Sequence, residues 1–254
     1  MIVFPNAKIN LGLNVVSKRD DGYHDINTIF LPVKKLYDVL EVIPLQDGSE
    51  TDKLTISGLA IPAISEDNLC LKAVRLMRDC IEIPPLNIFL HKIIPFGAGL
   101  GGGSSDAAFI LKLLNEMFEA GFDDAKLENI ASKIGADCPF FIKNQTSYAE
   151  GTGNIFSPID EIPNLEIELI VPPIQVSTAI AYKNIIPCQP EINLKKAIQM
   201  PVETWREQIR NDFEIPVFNM FPELKELKET LYEKGAVYAS MSGSGSSVFG
   251  LFKL

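Results

Sequence analysis

The segment that most restricts what this chain can fold into is Pro95-Phe-Gly-Ala-Gly-Leu-Gly-Gly-Gly-Ser-Ser105. Between positions 97 and 105 it holds five glycines, one alanine and two serines. Glycine costs conformational entropy in an ordered segment, so this density points to a place where backbone must approach something closely. The apolar run 86–94 reads as a strand leading into it. Ala107, Leu111, Leu114 and Phe118 follow at helical spacing, which predicts a helix from Ser104 or Ser105. A strand–loop–helix unit presents unpaired N–H groups and the positive end of the helix dipole to an anion. The expectation is a phosphate cradle, with the two serine hydroxyls as further donors.

Two common nucleotide motifs are eliminated at the same loop. Gly97, Gly99 and Gly102 satisfy GxGxxG, but a dinucleotide fold needs a second parallel strand about 20 residues on. Here the chain reads helix to helix from 104 to 134, and Asp123 and Asp124 fall at a helix start. Gly97 and Gly102 also have Walker A separation, yet Gly103 occupies the lysine position. A ligand-free glycine turn is the bland alternative, and the density of small residues weighs against it.

Elsewhere the first half reads as strands at 7–16, 26–36, 39–44 and 53–57. Ser65-Glu-Asp-Asn68 resembles a helix start before Leu69, Ala73, Leu76 and Met77. A second helix is predicted from Asp124 to Ile134, with Gly135 as its C′ residue. Beyond Gly151 come a strand at 165–172, amphipathic helices at 195–212 and 222–234, and a closing strand–SGSGS–strand. A domain change near residue 150 is expected, giving 1–150 and 151–254, with the last strand able to return to the first domain.

Composition excludes several functions. The formal net charge is −10 and no Lys/Arg stripe occurs, which argues against nucleic acid and anionic membranes as partners. With 46% apolar and 22% charged residues the chain is an ordinary globular one. Four cysteines without CxxC pairing and two histidines give a zinc site little to build from. No run approaches a bilayer span, and MIVFPNAKINLGLNVV lacks a signal-peptide n-region, so a cytoplasmic location is expected, with no protein partner evident.

The string PFGAGLGGGSSDAA resembles the phosphate loop of the GHMP kinases. Ala7-Lys8-Ile-Asn10-Leu resembles their first motif and Met241-Ser-Gly-Ser-Gly-Ser their third. The strings Gly22-Tyr23-His24, Gly135-Ala-Asp137-Cys-Pro139-Phe-Phe, Ala149-Glu-Gly-Thr-Gly153 and Val176-Ser-Thr178-Ala resemble the branch whose acceptor carries cytidine diphosphate. The segment 183–215 carries no matching motif. The resemblance implies an α+β, two-domain fold with its active site in a cleft between the domains. It also implies transfer of the ATP γ-phosphate, with Mg²⁺, to the 2-hydroxyl of cytidine diphosphate methylerythritol in non-mevalonate isoprenoid precursor synthesis.

Residue by residue, the resemblance implies ATP binding by Pro95, Phe96, Gly97, Ala98, Gly99, Leu100, Gly101, Gly102, Gly103, Ser104 and Ser105. Asp137 is implied as the base for the acceptor hydroxyl. Lys8 lies in an otherwise apolar strand run, where a charge is costly to bury unpaired, so it either faces solvent from an edge strand or meets an anion. The resemblance implies that it lies beside Asp137. Asn10, on the same strand face as Lys8, is implied in substrate or phosphate contacts. Tyr23 and His24 are implied to recognise cytosine, with Tyr182 on the opposite face and Thr178 nearby. Read alone, Asp137 could instead cap a turn, and Tyr23-His24 could be a surface pair. Cys138 reads as a packing residue, His91 as structural, and Lys92 as a possible border of the adenine site. A kinase acting on homoserine or mevalonate, and a catalytically silent nucleotide binder, are the competing functions.

Overall fold

The computed structural model describes residues 1–45, 50–60 and 68–254. In chain order the elements are β1 (Ile2–Val3), β2 (Asn6–Lys18), β3 (His24–Tyr37), β4 (Val39–Pro44), β5 (Lys53–Gly58), α1 (Leu69–Arg78) and β6 (Leu86–Lys92). Next come α2 (Gly102–Met117), α3 (Asp124–Ser132), α4 (Phe140–Lys143), β7 (Ser147–Glu150), β8 (Ile155–Pro158) and β9 (Leu165–Ile170). The remainder is α5 (Thr178–Lys183), α6 (Leu194–Ala197), a 3₁₀ turn (Val202–Thr204), α7 (Trp205–Gln208), α8 (Glu214–Met220), α9 (Pro222–Glu233), β10 (Tyr238–Met241) and β11 (Val248–Lys253). This is the α+β class expected. No helix among the described residues is long and apolar enough to cross a membrane.

The chain forms two compact units. One comprises Met1–Ala7, Pro32–Phe96 and Gly101–Gln145; the other comprises Lys8–Leu31, Gly97–Leu100 and Thr146–Leu254. In the first unit the sheet order is β1-β4-β6-β5, with β4 and β6 antiparallel and β5 and β6 parallel. Alternation in β6 buries Leu86, Ile88, Leu90 and Lys92 while Phe89 and His91 face outward. Helix α1 packs against α2 and buries Cys70, Ala73, Val74 and Met77. Of the helix start expected at 65–68, Ser65, Glu66 and Asp67 lie outside the described residues. Asn68 caps α1 by accepting the Cys70 N–H at 2.9 Å.

In the second unit β2, β3, β7 and β8 form one sheet, and β10-β11-β9 another. A core cluster of Leu13, Val15, Ile26, Val176, Ala181, Phe213, Val217, Leu224 and Met241 lies in this unit. Helix α9 packs on β10 and β11, burying Leu224 and Leu231.

Several boundaries differ from expectation. Helix α2 starts at Gly102, two residues before Ser104, because Gly101 (φ +69°) already makes the left-handed turn that launches it. Gly135 is not the C′ residue of α3: the helix ends at Ser132 with Lys133 as its C-cap, and Gly135 has no positive φ. The single helix expected over 195–212 is three short pieces. Pro201 cannot continue a helix, since it lacks the N–H that Ala197 would accept from and restricts the residue before it.

Candidate active site

The glycine loop begins where β6 ends. Its first half, Gly97–Leu100, is held from two directions. The Lys8 N–H of β2 donates to the Leu100 carbonyl at 3.0 Å. From the loop after β10, the Ser242 hydroxyl donates to the Gly99 carbonyl at 2.9 Å and the Ser247 N–H to the Ala98 carbonyl at 3.2 Å. Gly99 has φ +77°, and a Cβ there would lie 2.1 Å from the Ser242 carbonyl oxygen. No side chain fits. At Gly97, by contrast, a Cβ would meet nothing within 4 Å among the described residues. The loop is thus clamped at Gly99 and open at Gly97.

The second half of the loop enters α2. Gly101 offers no side-chain cap and the first turn carries no acidic residue, so the N–H groups of Gly102, Gly103 and Ser104 are left for an external acceptor. Ala98 and Leu100 are buried, whereas Phe96 is exposed. This donor set suits a phosphate. Ser105 is fully buried and its hydroxyl has no hydrogen-bond partner among the described residues.

Beneath this turn lies a buried ion cluster that sequence reasoning missed. The Lys92 ammonium, at the end of β6, pairs with Asp38 and with Asp106 (2.7 Å). Asp38 accepts from the Ile93 and Ile94 N–H groups at 2.5 and 2.8 Å, fixing the strand's exit into the loop. Lys92 therefore sits in a buried salt-bridged cluster. Burial pushes the Asp106 carboxyl up to about 7, against the opposing pull of Lys92. Burial would lower Lys92, but its two carboxylate partners together raise it. The sequence signal was an aspartate in the first turns of a helix whose neighbours Ala107, Ala108 and Leu111 are all buried.

Asp137 lies half-buried in the turn between α3 and α4. That turn is fixed by Phe140 and Phe141, buried and packed edge-to-face at 5.0 Å. It is also held by Lys72, which donates to the Ile134 carbonyl at 3.2 Å. Cys138 is buried, and burial raises its thiol to about 12 against the opposing pull of the Ser104 hydroxyl. It is a packing residue, and the Asp137 turn leads into α4, which packs against α2.

On β2, Lys8 is only 3% exposed, which removes the alternative that it faces solvent from an edge strand. Its ammonium donates to Asn10 Oδ1 at 2.5 Å and lies 4.9 Å from the Phe30 ring centroid. Asn10 donates through Nδ2 to Thr28 Oγ1 at 3.0 Å, and its N–H reaches Ser242 Oγ at 3.2 Å. Lys8 and Asn10 thus belong to one buried polar network.

Gly22 turns the chain at φ +86°, and β3 starts at His24. The His24 ring stacks on Tyr182 of α5 at 4.8 Å and 20°, and Tyr182 meets Phe213 edge-on at 4.7 Å. Burial, then the nearby Lys18 charge, lowers the His24 pKa and favours the neutral ring. Tyr23 is 67% exposed beside this stack in sequence. Thr178 opens α5 and its hydroxyl hydrogen-bonds Ser244 at 2.9 Å, so it touches the second glycine loop. His91 faces outward and pairs with the Ser57 hydroxyl.

Comparison with known proteins matches residues 68–145 to the GHMP kinases N terminal domain and residues 194–254 to the GHMP kinases C terminal region. The chain belongs to the GHMP kinases. A 4-diphosphocytidyl-2-C-methyl-D-erythritol kinase of Bacteroides fragilis is 52% identical over 99% of this chain and 92% of its own length. One of Parabacteroides distasonis is 53% identical over 100% of this chain and 92% of its own. Among solved structures, a 4-(cytidine 5'-diphospho)-2C-methyl-D-erythritol kinase superposes with TM-score 0.83 at 34% identity, covering 99% of this chain and 90% of the other. The mevalonate kinase of Methanococcus jannaschii shares the fold at TM-score 0.67 and 16% identity, over 100% and 90%. As a GHMP kinase, this chain takes ATP as co-substrate and phosphorylates a small molecule.

Proposed function

We propose that this GHMP kinase transfers the γ-phosphate of ATP to the 2-hydroxyl of 4-diphosphocytidyl-2-C-methyl-D-erythritol, a step of non-mevalonate isoprenoid precursor synthesis. The observation that carries this reading is whole-chain identity of about half to curated kinases of that name. Phosphoryl transfer asks a protein chiefly for alignment and charge stabilisation. The clamped loop and the uncapped start of α2 would hold the ATP phosphates. Asp137 would accept the proton of the acceptor hydroxyl, and Lys8, oriented by Asn10, would offset charge on the transferring group. Tyr23, His24 and Tyr182 supply flat rings and a neutral imidazole suited to a pyrimidine, with Thr178 at the edge of that group.

Mg²⁺ would accompany ATP and neutralise charge on its β- and γ-phosphates. Among the described residues there is no group of three or more His, Cys, Asp or Glu that could hold a metal ion. The test is ADP release with the cytidine diphosphate alcohol, homoserine and mevalonate offered in parallel. Turnover with the first alone is expected. Turnover only with homoserine or mevalonate overturns the acceptor assignment, and none with any acceptor favours a silent nucleotide binder.

A further inference from the structure

The stretch 209–214, inside the region that carried no readable motif, is placed where both halves of the site are supported. It runs beside β2: Leu13 donates to the Arg210 carbonyl at 2.9 Å, and Asp212 donates back to the Leu13 carbonyl at 2.8 Å. The Asp212 carboxylate also accepts the Val15 N–H at 2.7 Å. From this anchor two arms extend.

The first arm reaches the second glycine loop. Asn211 is 2% exposed. Its amide donates to the Met241 and Gly243 carbonyls, each at 2.8 Å, and its oxygen accepts the Phe213 N–H at 3.0 Å. Glu214 accepts the Met241 N–H at 2.9 Å and the Ser240 hydroxyl at 3.0 Å, while its other oxygen pairs with Lys228 at 2.6 Å. Both ends of the turn out of β10 are therefore gripped by side chains. That turn carries Ser242, whose hydroxyl holds the Gly99 carbonyl. The second arm is Phe213, fully buried edge-on against Tyr182, which in turn stacks on His24.

We propose that Asn211-Asp-Phe-Glu214 is a positioning motif with separable outputs. Asn211 and Glu214 set the nucleotide loop through Ser242 and Gly99, and Phe213 sets the base-binding rings through Tyr182. None of the four side chains needs to touch either substrate. An amide is required at 211 because only a side chain with two donors and one acceptor satisfies two carbonyls and one N–H from a single point. A carboxylate there would lose both donors and face two carbonyl oxygens.

The nucleotide arm rests on family membership, and the base arm rests on the proposed cytidine acceptor. The test measures kcat and KM for each substrate, with ADP affinity by calorimetry and thermal melting on the same samples. Asn211→Ala is expected to raise the ATP KM about tenfold and weaken ADP binding in parallel, with the acceptor KM changed by less than about twofold. Phe213→Leu is expected to do the reverse. Equal rises in both KM values for both variants, or unchanged values in folded protein, overturn the proposal. Should Asn211→Ala not fold, Glu214→Gln keeps an acceptor toward Met241 and Ser240 while giving up the charge. It is expected to raise the ATP KM alone by about threefold, and no rise overturns the nucleotide arm. Should the wild type not use the cytidine acceptor, the acceptor reading fails, yet ADP calorimetry on the Asn211 variant still decides the nucleotide arm.

Discussion

Asp137 and Asp106 are two aspartates of one unit in different settings. Asp137 is half-buried in a turn stapled by Phe140, Phe141 and Lys72, which suits its proposed role as the base. Asp137→Asn is expected to lower kcat by about 10²-fold or more with the ATP KM nearly unchanged, as measured by steady-state kinetics. Near-normal turnover would remove Asp137 from the role of base. Asp106 is a support buried against Lys92, with Asp38 sharing the same ammonium. Its folded-state pKa, about 7, lies above the ordinary 3.8. The native state therefore binds this proton more tightly than the unfolded chain. The stability linked to that proton is fully present below the unfolded value and is lost as pH rises through about 7. Between pH 6 and 8 the wild type is expected to lose on the order of 1 kcal/mol through this group, by urea denaturation, and Asp106→Asn to flatten that slope. Parallel slopes in the two proteins would contradict the assignment.

Among the elements, the loop of residues 97–100 and the loop after β10 constrain each other at Gly99, where a Cβ would lie 2.1 Å from the Ser242 carbonyl oxygen. With this loop in its proposed ATP-binding role, Gly99→Ala is expected to destabilise by about 2 kcal/mol or more and to raise the ATP KM. Chemical denaturation and kinetics on the same sample check both, and a variant of wild-type stability would contradict the close approach of Ser242. The loop, the strand before it and the helix after it were legible in the sequence, because glycine density and 3.6-residue periodicity are local signals. The break at Pro201 was equally local and was overridden by an amphipathic pattern that extends through it. Less accessible were the Lys92 cluster and the Asn211–Met241 grip. Each joins residues distant in sequence, or depends on burial that a single residue type does not announce. Lys8 shows the intermediate case: its place in an apolar run marked it as unusual, and the structure supplied the buried Asn10 network that resolves the cost.

At the scale of the molecule, both compact units are discontinuous in sequence, and residues 8–31 and 97–100 group with the C-terminal half. Long-range pairing decides such a partition, and periodicity does not encode it. Relatives at about half identity span the whole chain, so the account stands or falls on what the whole enzyme makes. The most direct measurement is phosphorus NMR of the product formed from ATP, Mg²⁺ and 4-diphosphocytidyl-2-C-methyl-D-erythritol. The account predicts a new phosphomonoester signal in step with ADP, with the cytidine diphosphate group intact. ADP without a new phosphomonoester, or no ADP with this acceptor while homoserine or mevalonate is phosphorylated, would contradict it.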